Sequence, residues 1–198
     1  MKSILIGMMA FTAVLFSNNM DNREIYLNIN NSNLEVGFKS SALDAYMKEG
    51  SAARFKYDIN YLNGDNLNLI QGSIKNVNKI EKIQGSELGI GIKAIYLNNS
   101  IDEYTFLPLT ASYRYNLPSL MFNIPPVSID SDISYAPNVL SFSEEVEKYF
   151  AYSLELNIEP INGVKIYTGY RNADLKYKNK NNKEKLFEEI YGGIKMTF

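Results

Sequence analysis

The feature that most constrains this chain is a two-residue alternation that recurs through most of its length. In 152–159, Tyr152, Leu154, Leu156 and Ile158 alternate with Ser153, Glu155, Asn157 and Glu159. Successive side chains of a strand point to opposite faces, so this pattern predicts a strand with one apolar and one polar face. The segment 54–62 repeats it, with Phe55, Tyr57, Ile59 and Tyr61 against Arg54, Lys56, Asp58 and Asn60. So does 164–171, with Val164, Ile166, Thr168 and Tyr170 against Lys165, Tyr167, Gly169 and Arg171.

Further strands are expected at 24–29, 34–39, 88–96, 107–115 and 190–198, with weaker candidates at 66–77 and 130–137. That makes about ten strands, or eight if the two weak segments fail. Asn63-Gly64-Asp65 and Pro160-Ile161-Asn162-Gly163 carry tight-turn chemistry. Polar loops are expected at 99–103 and 176–185, and longer connections at 117–126 and 138–148. Residues 42–48 and 143–149 are each compatible with one helical turn.

The N-terminus has a different character. Lys2 precedes an apolar run from Ile4 to Phe16, followed by Ser17-Asn18-Asn19. That length matches the core of a secretory signal and is too short for a transmembrane helix. Residues 1–18 are therefore read as an export signal, and 19–198 as a single domain. No later segment is apolar for long enough to cross a bilayer as a helix.

Composition removes several chemistries. The chain has no histidine and no cysteine, which excludes Ser-His-Asp catalysis, Cys/His zinc sites and disulfides. Its 20 basic and 22 acidic residues lack the basic excess of a nucleic-acid surface. The pair Gly89-Ile90-Gly91 lies within a strand pattern and is no phosphate loop. Clustered carboxylates such as Glu144, Glu145, Glu147, Glu188 and Glu189 read as solvated loop charge. No enzymatic activity and no cofactor are expected.

Alternation alone leaves open which face points inward. A soluble barrel would bury the apolar face and bind a hydrophobic ligand inside it. A membrane barrel would turn that face to lipid and enclose the charges. Strands of about 9 to 11 residues suit a tilted bilayer crossing. Tyr61, Tyr96, Tyr113, Tyr115, Tyr152 and Tyr170 fall near strand ends, as in aromatic girdles. The expected fold is thus an all-β, antiparallel up-and-down transmembrane barrel of about 8–10 strands. Arg54, Lys56, Asp58, Lys93, Arg114, Glu155, Lys165 and Arg171 would then be charges of its lumen, pairing with one another.

The final residues, Tyr191-Gly192-Gly193-Ile194-Lys195-Met196-Thr197-Phe198, resemble the C-terminal signal of bacterial outer-membrane barrels. Gly193, Met196 and Phe198 fit its spacing, which implies recognition by the barrel-assembly machinery. Tyr191 replaces a more polar residue and Met196 a commoner aromatic. A narrower resemblance rests on Ile133-Ser134-Tyr135-Ala136-Pro137, a polar loop, a strand ending in Pro160, and Val164-Lys165-Ile166-Tyr167-Thr168-Gly169-Tyr170-Arg171, with Glu49-Gly50-Ser51-Ala52 as a further echo. In the order of its Tyr-Ala-Pro and Gly-Tyr-Arg elements this third of the chain resembles the YfaZ family of outer-membrane proteins. The resemblance implies a Gram-negative outer-membrane location and a barrel fold, with no reaction attached. The expectation is a monomeric barrel in outer-membrane lipid, of structural or narrow-channel role; the alternative is the soluble periplasmic barrel with a hydrophobic ligand.

Overall fold

A computed structural model describes residues 21–43, 54–64, 67–99, 102–118, 124–143, 145–178 and 183–198. The proposed export signal, the Glu49–Ala52 echo and most of 42–48 lie outside these residues. The strands are β1 (Asp21–Ile29), β2 (Asn33–Leu43), β3 (Arg54–Gly64), β4 (Leu67–Lys79), β5 (Ser86–Asn99), β6 (Glu103–Phe106), β7 (Leu109–Asn116), β8 (Val127–Pro137), β9 (Val146–Ile161), β10 (Val164–Tyr177) and β11 (Lys183–Thr197).

Apart from short β6, each strand pairs antiparallel with the next along the chain, β5 with β7, and β1 pairs with β11 through Leu27 and Ile194 to close the sheet. Short strand β6 is not an eleventh stave. It holds the same register on β5 as β7 does, with Phe106 opposite Ile95 and Leu109 opposite Ile92. The interruption falls at Leu107-Pro108, within the segment expected to be one strand from residue 107. Proline has no N–H to give to a ladder. The Pro108 carbonyl still accepts from the Lys93 N–H at 2.9 Å, while the Leu107 N–H turns to the Leu140 carbonyl at 2.9 Å. The result is a closed antiparallel barrel of ten strands. Both weak segments form full strands, β4 and β8.

The connection at Asn162-Gly163 is a two-residue turn with Gly163 at φ 78°. Among the described residues the helical content is one 3-10 turn, Asn138–Leu140. The expected helical turn at 143–149 is not there. Val146 and Tyr149 belong to β9, because their apolar side chains are buried inside the barrel. Strands also extend into the Lys/Asn-rich run, β10 to Tyr177 and β11 from Lys183.

The apolar face points outward. Ile90, Ile166, Leu154 and Met196 are 65%, 56%, 54% and 56% exposed. At the end opposite the termini, the far end, Tyr61, Tyr96, Tyr135, Phe150, Tyr152 and Tyr170 face out. The Phe150–Tyr152 and Tyr152–Tyr170 ring centroids are each 6.0 Å apart. At the terminal end Phe55, Tyr113, Tyr115 and Phe198 face out. Outward charges sit within the far-end ring, Asp174 opposite Phe150 and Glu188 accepting from the Tyr170 hydroxyl at 2.9 Å; between the two rings no outward-pointing described residue carries a charge. Along β9 the band runs from Phe150 to Ile158, roughly 26 Å of strand and about 20 Å along the axis at a tilt of ~40°. A soluble domain rarely shows a continuous apolar surface of this extent.

Candidate functional site

The interior is built from the polar half of every alternating strand. All eight charged residues singled out in the sequence point inward: Arg54, Lys56 and Asp58 from β3, Lys93 from β5, Arg114 from β7, Glu155 from β9, and Lys165 and Arg171 from β10. They do not mainly pair with one another. Arg114 makes a two-pronged contact with Asp130, 2.7 Å from both Nε and Nη2. Asp132 takes Lys75 and Lys93, the latter at 3.1 Å, and accepts from the Thr110 hydroxyl at 3.2 Å. Arg171 bridges Glu35 and Glu189. Glu155 holds Lys195, whose ammonium also donates to the Asn157 amide oxygen at 2.9 Å. Lys56 meets Glu87 at 2.7 Å, and Lys165 meets Glu24 at 3.7 Å. Asp58 accepts from the Tyr26 hydroxyl at 3.0 Å.

Most of these partners were not singled out from sequence. Asp130 and Asp132 lie on β8, and Lys75 on β4, the two strands with the weakest patterns. Glu24 and Glu87 stand near strand ends, where an inward carboxylate and a loop carboxylate look alike in sequence. Glu189, read as solvated loop charge, instead lies in the middle of β11 facing Arg171, because that strand begins at Lys183. A signal for Asp130 and Asp132 did exist. They alternate with Ile129, Ser131 and Ile133, and the single Ser131 blurs the apolar face.

Tyrosines fill the space between the charges by lying over glycines of the next strand. Tyr26 stands over Gly37, Tyr191 over Gly169 and Tyr167 over Gly193, where a Cβ would come 2.1, 2.6 and 2.6 Å from a ring or hydroxyl atom. Gly193 of the C-terminal motif therefore has a packing role inside the barrel. Met196 and Phe198 of the same motif face outward, 56% and 62% exposed.

Toward the far end the interior changes character. Leu62, Leu69, Ile95, Leu97, Phe106, Val146, Tyr149 and Leu175 form a buried apolar layer across the bore. Phe106 and Tyr149 stack at 5.1 Å with their planes 19° apart, and the Tyr104 and Tyr177 hydroxyls meet at 3.2 Å above them. The Tyr135-Ala136-Pro137 motif is placed accordingly: Tyr135 outward among the aromatics, Ala136 fully buried in the layer, and Pro137 ending β8. In Gly169-Tyr170-Arg171 the glycine seats Tyr191, Tyr170 faces out and Arg171 enters the charge network.

Below the layer lies a cavity of about 480 Å³. Its lining runs from Arg54, Glu87, Lys165 and Thr197 at the terminal end to Tyr149 under the layer. Near the terminal end Lys56 and Arg114 are 34% and 30% exposed, whereas Lys195, held by Glu155, is buried at 1%. The arrangement can hold counter-charges in water beneath an apolar lid.

No family model matches this sequence, and no curated protein matches it. Solved structures similar to it include LpxR from Salmonella typhimurium, at 9% identity over 92% of this chain and 85% of that one, with a TM-score of 0.43. The NanC porin is similar at 8% identity over 89% and 98%, with a TM-score of 0.39. OmpT, an outer membrane protein of Vibrio cholerae, is similar at 8% identity over 90% and 99%, with a TM-score of 0.36. The likeness is one of barrel architecture and does not extend to what those proteins do.

Proposed function

We propose that this protein is a small outer-membrane barrel of structural role whose bore is closed to solutes at the far end. The observation that carries the reading is the segregation of charge. Across the middle of the barrel the ionised side chains of the described strands point inward, and the outward band between the two aromatic rings has none. The outward charges of β10 and β11, such as Asp174 opposite Phe150 and Glu188 bonded to Tyr170, lie at or beyond the far-end aromatic ring. Water would oppose that arrangement. Each outward Leu, Ile or Phe gains about 1.5–3 kcal/mol on leaving water, so the band as a whole favours lipid by tens of kcal/mol, to order of magnitude. The soluble alternative needs an apolar interior and a charged exterior, the reverse of this distribution.

The structural role, rather than a narrow channel, follows from the apolar layer. A conducting path would have to part Phe106 from Tyr149, and most of the lumen charges below them are committed to pairs that stiffen the wall. Kinship with the YfaZ family and recognition of Gly193, Met196 and Phe198 by the assembly machinery form part of the same proposal. The test is planar-bilayer recording of the folded protein. The proposal expects insertion without stable conductance; a steady single-channel current would replace the structural role with a narrow pore.

A further inference from the structure

The lumen charges are nearly balanced in number but not in pairing. Among the described residues the cavity is lined by seven acidic and eight basic side chains. Every one of the acids is held directly: six in ion pairs, and Asp58 by the Tyr26 hydroxyl. Two of the bases stand apart. Lys39 lies across the ladder from Asp58, yet its ammonium sits over the Tyr26 ring at 4.5 Å and makes no ion pair among the described residues. Arg54, four residues nearer the terminal end on the adjoining strand β3, makes neither an ion pair nor a hydrogen bond among them. Lys56 stands between the two on the same wall, and Glu87 occupies it from one side only.

We infer that the lumen cavity is a binding site for a small polyvalent oxyanion, a di- or tricarboxylate, held between Lys39 and Arg54. The inference goes beyond the structural role and does not depend on whether the far end conducts. Three properties select this ligand class. The volume of about 480 Å³ lies in the range of small-molecule sites and exceeds what a single inorganic ion fills. The free donors are one planar guanidinium and one ammonium several residues apart, which suits separated carboxylates better than one compact charge. Six of the acids that would repel such a ligand are neutralised by cationic partners, Asp58 faces Lys39 across the ladder, and eight bases against seven acids leave the described lining with one excess positive charge. A partly desolvated setting strengthens each contact relative to open water. Entry is from the terminal end, because the apolar layer shuts the other.

The experiment is equilibrium dialysis of the mature chain, folded in detergent micelles, against radiolabelled citrate at low ionic strength, with radiolabelled glucose as the uncharged control. Slower or faster migration of the unboiled band verifies folding of each variant. Saturable binding of citrate and none of glucose is expected. Arg54→Gln and Lys39→Gln should each weaken citrate binding about tenfold, the loss of one charge-assisted contact. Glu87→Gln, which releases Lys56 toward the cavity, should strengthen it several-fold, a gain that damage to the fold would not produce. Absence of citrate binding at millimolar concentration would overturn the inference. So would equal binding of glucose, or an affinity that neither the Arg54 nor the Lys39 substitution changes.

Discussion

Tyr167 of β10 lies over Gly193 of β11, directly opposite it in the register, and a Cβ on that glycine would stand 2.6 Å from the tyrosine hydroxyl and 2.1 Å from the Leu27 carbonyl oxygen. The contact joins the closing seam of the barrel, since Leu27 belongs to β1 and Gly193 pairs with Asn28 there. A glycine is required by this crowding on both sides and not by any unusual backbone angle.

Gly193→Ala should therefore damage closure itself. The added methyl must displace the Tyr167 ring and strain the β1–β11 ladder, at a cost of about 1–3 kcal/mol. Urea titration followed by the mobility of the unboiled band measures it. Gly192→Ala, whose Cβ has only the Tyr167 carbonyl oxygen near it, at 3.6 Å, should leave the midpoint almost unchanged. Equal effects at the two glycines would show that the Tyr167 packing is unimportant.

The network around Arg171 should behave as a unit. Arg171→Ala leaves Glu35 and Glu189 buried and facing each other without a cation. Breaking such a buried pair costs about 3–5 kcal/mol. The double change Arg171→Ala with Glu35→Gln should recover part of that loss, because the second change removes one of the stranded charges. The same urea titration reads both. A double variant no more stable than the single would argue against direct coupling of these residues.

Much of the fold is legible in the sequence where the two faces differ sharply. Residues 54–62, 152–159 and 164–171 have ionised or amide side chains on one side only, so period two is visible and the inward set can be named. Near the far end the contrast fades for a physical reason. The interior there is also apolar, so Tyr61-Leu62 and Ile95-Tyr96-Leu97 present apolar side chains to both faces and read as unbroken runs. The lid is written in that loss of alternation, but only the folded barrel shows that the runs meet. Ion-pair partners are illegible for another reason. Glu35 and Arg171 are 136 residues apart and meet only because the barrel closes through β1 and β11. The break at Pro108 was open to reading from the missing N–H, yet the alternation continues across it.

The apolar lid makes a prediction about permeability. Phe106→Ala together with Tyr149→Ala removes the stacked pair at the centre of the layer. Truncating buried aromatics costs about 3–5 kcal/mol each at most, and the ten-strand ladder should remain closed. Planar-bilayer recording of this variant should show a small, steady conductance absent from the parent. Silence in a variant that still shows a heat-shifted band would place the barrier elsewhere in the bore.

Asp132 is the shared anion of Lys75 and Lys93. Asp132→Asn keeps the shape and the Thr110 and Ser134 hydrogen-bonding options while leaving two ammonium groups close together without a counter-charge. The variant should lose about 2–4 kcal/mol of stability at low salt and regain part of it in concentrated salt, where repulsion is screened. Unfolding midpoints at two ionic strengths decide it, and a salt-independent loss would point to packing instead.

The most direct test uses the absence of cysteine from the chain, which allows single cysteines to be read without background. Cysteines placed one at a time at Ile133, Ser134, Ser153 and Leu154 sample both faces of adjoining strands β8 and β9. In outer membranes of expressing cells, Ile133→Cys and Leu154→Cys should react with a lipid-soluble maleimide and resist a charged one. Ser134→Cys and Ser153→Cys should escape the lipid-soluble reagent. Charged-reagent labelling of the Ile133 and Leu154 positions, or recovery of the protein in the soluble periplasm, would contradict a barrel that faces lipid with its apolar side.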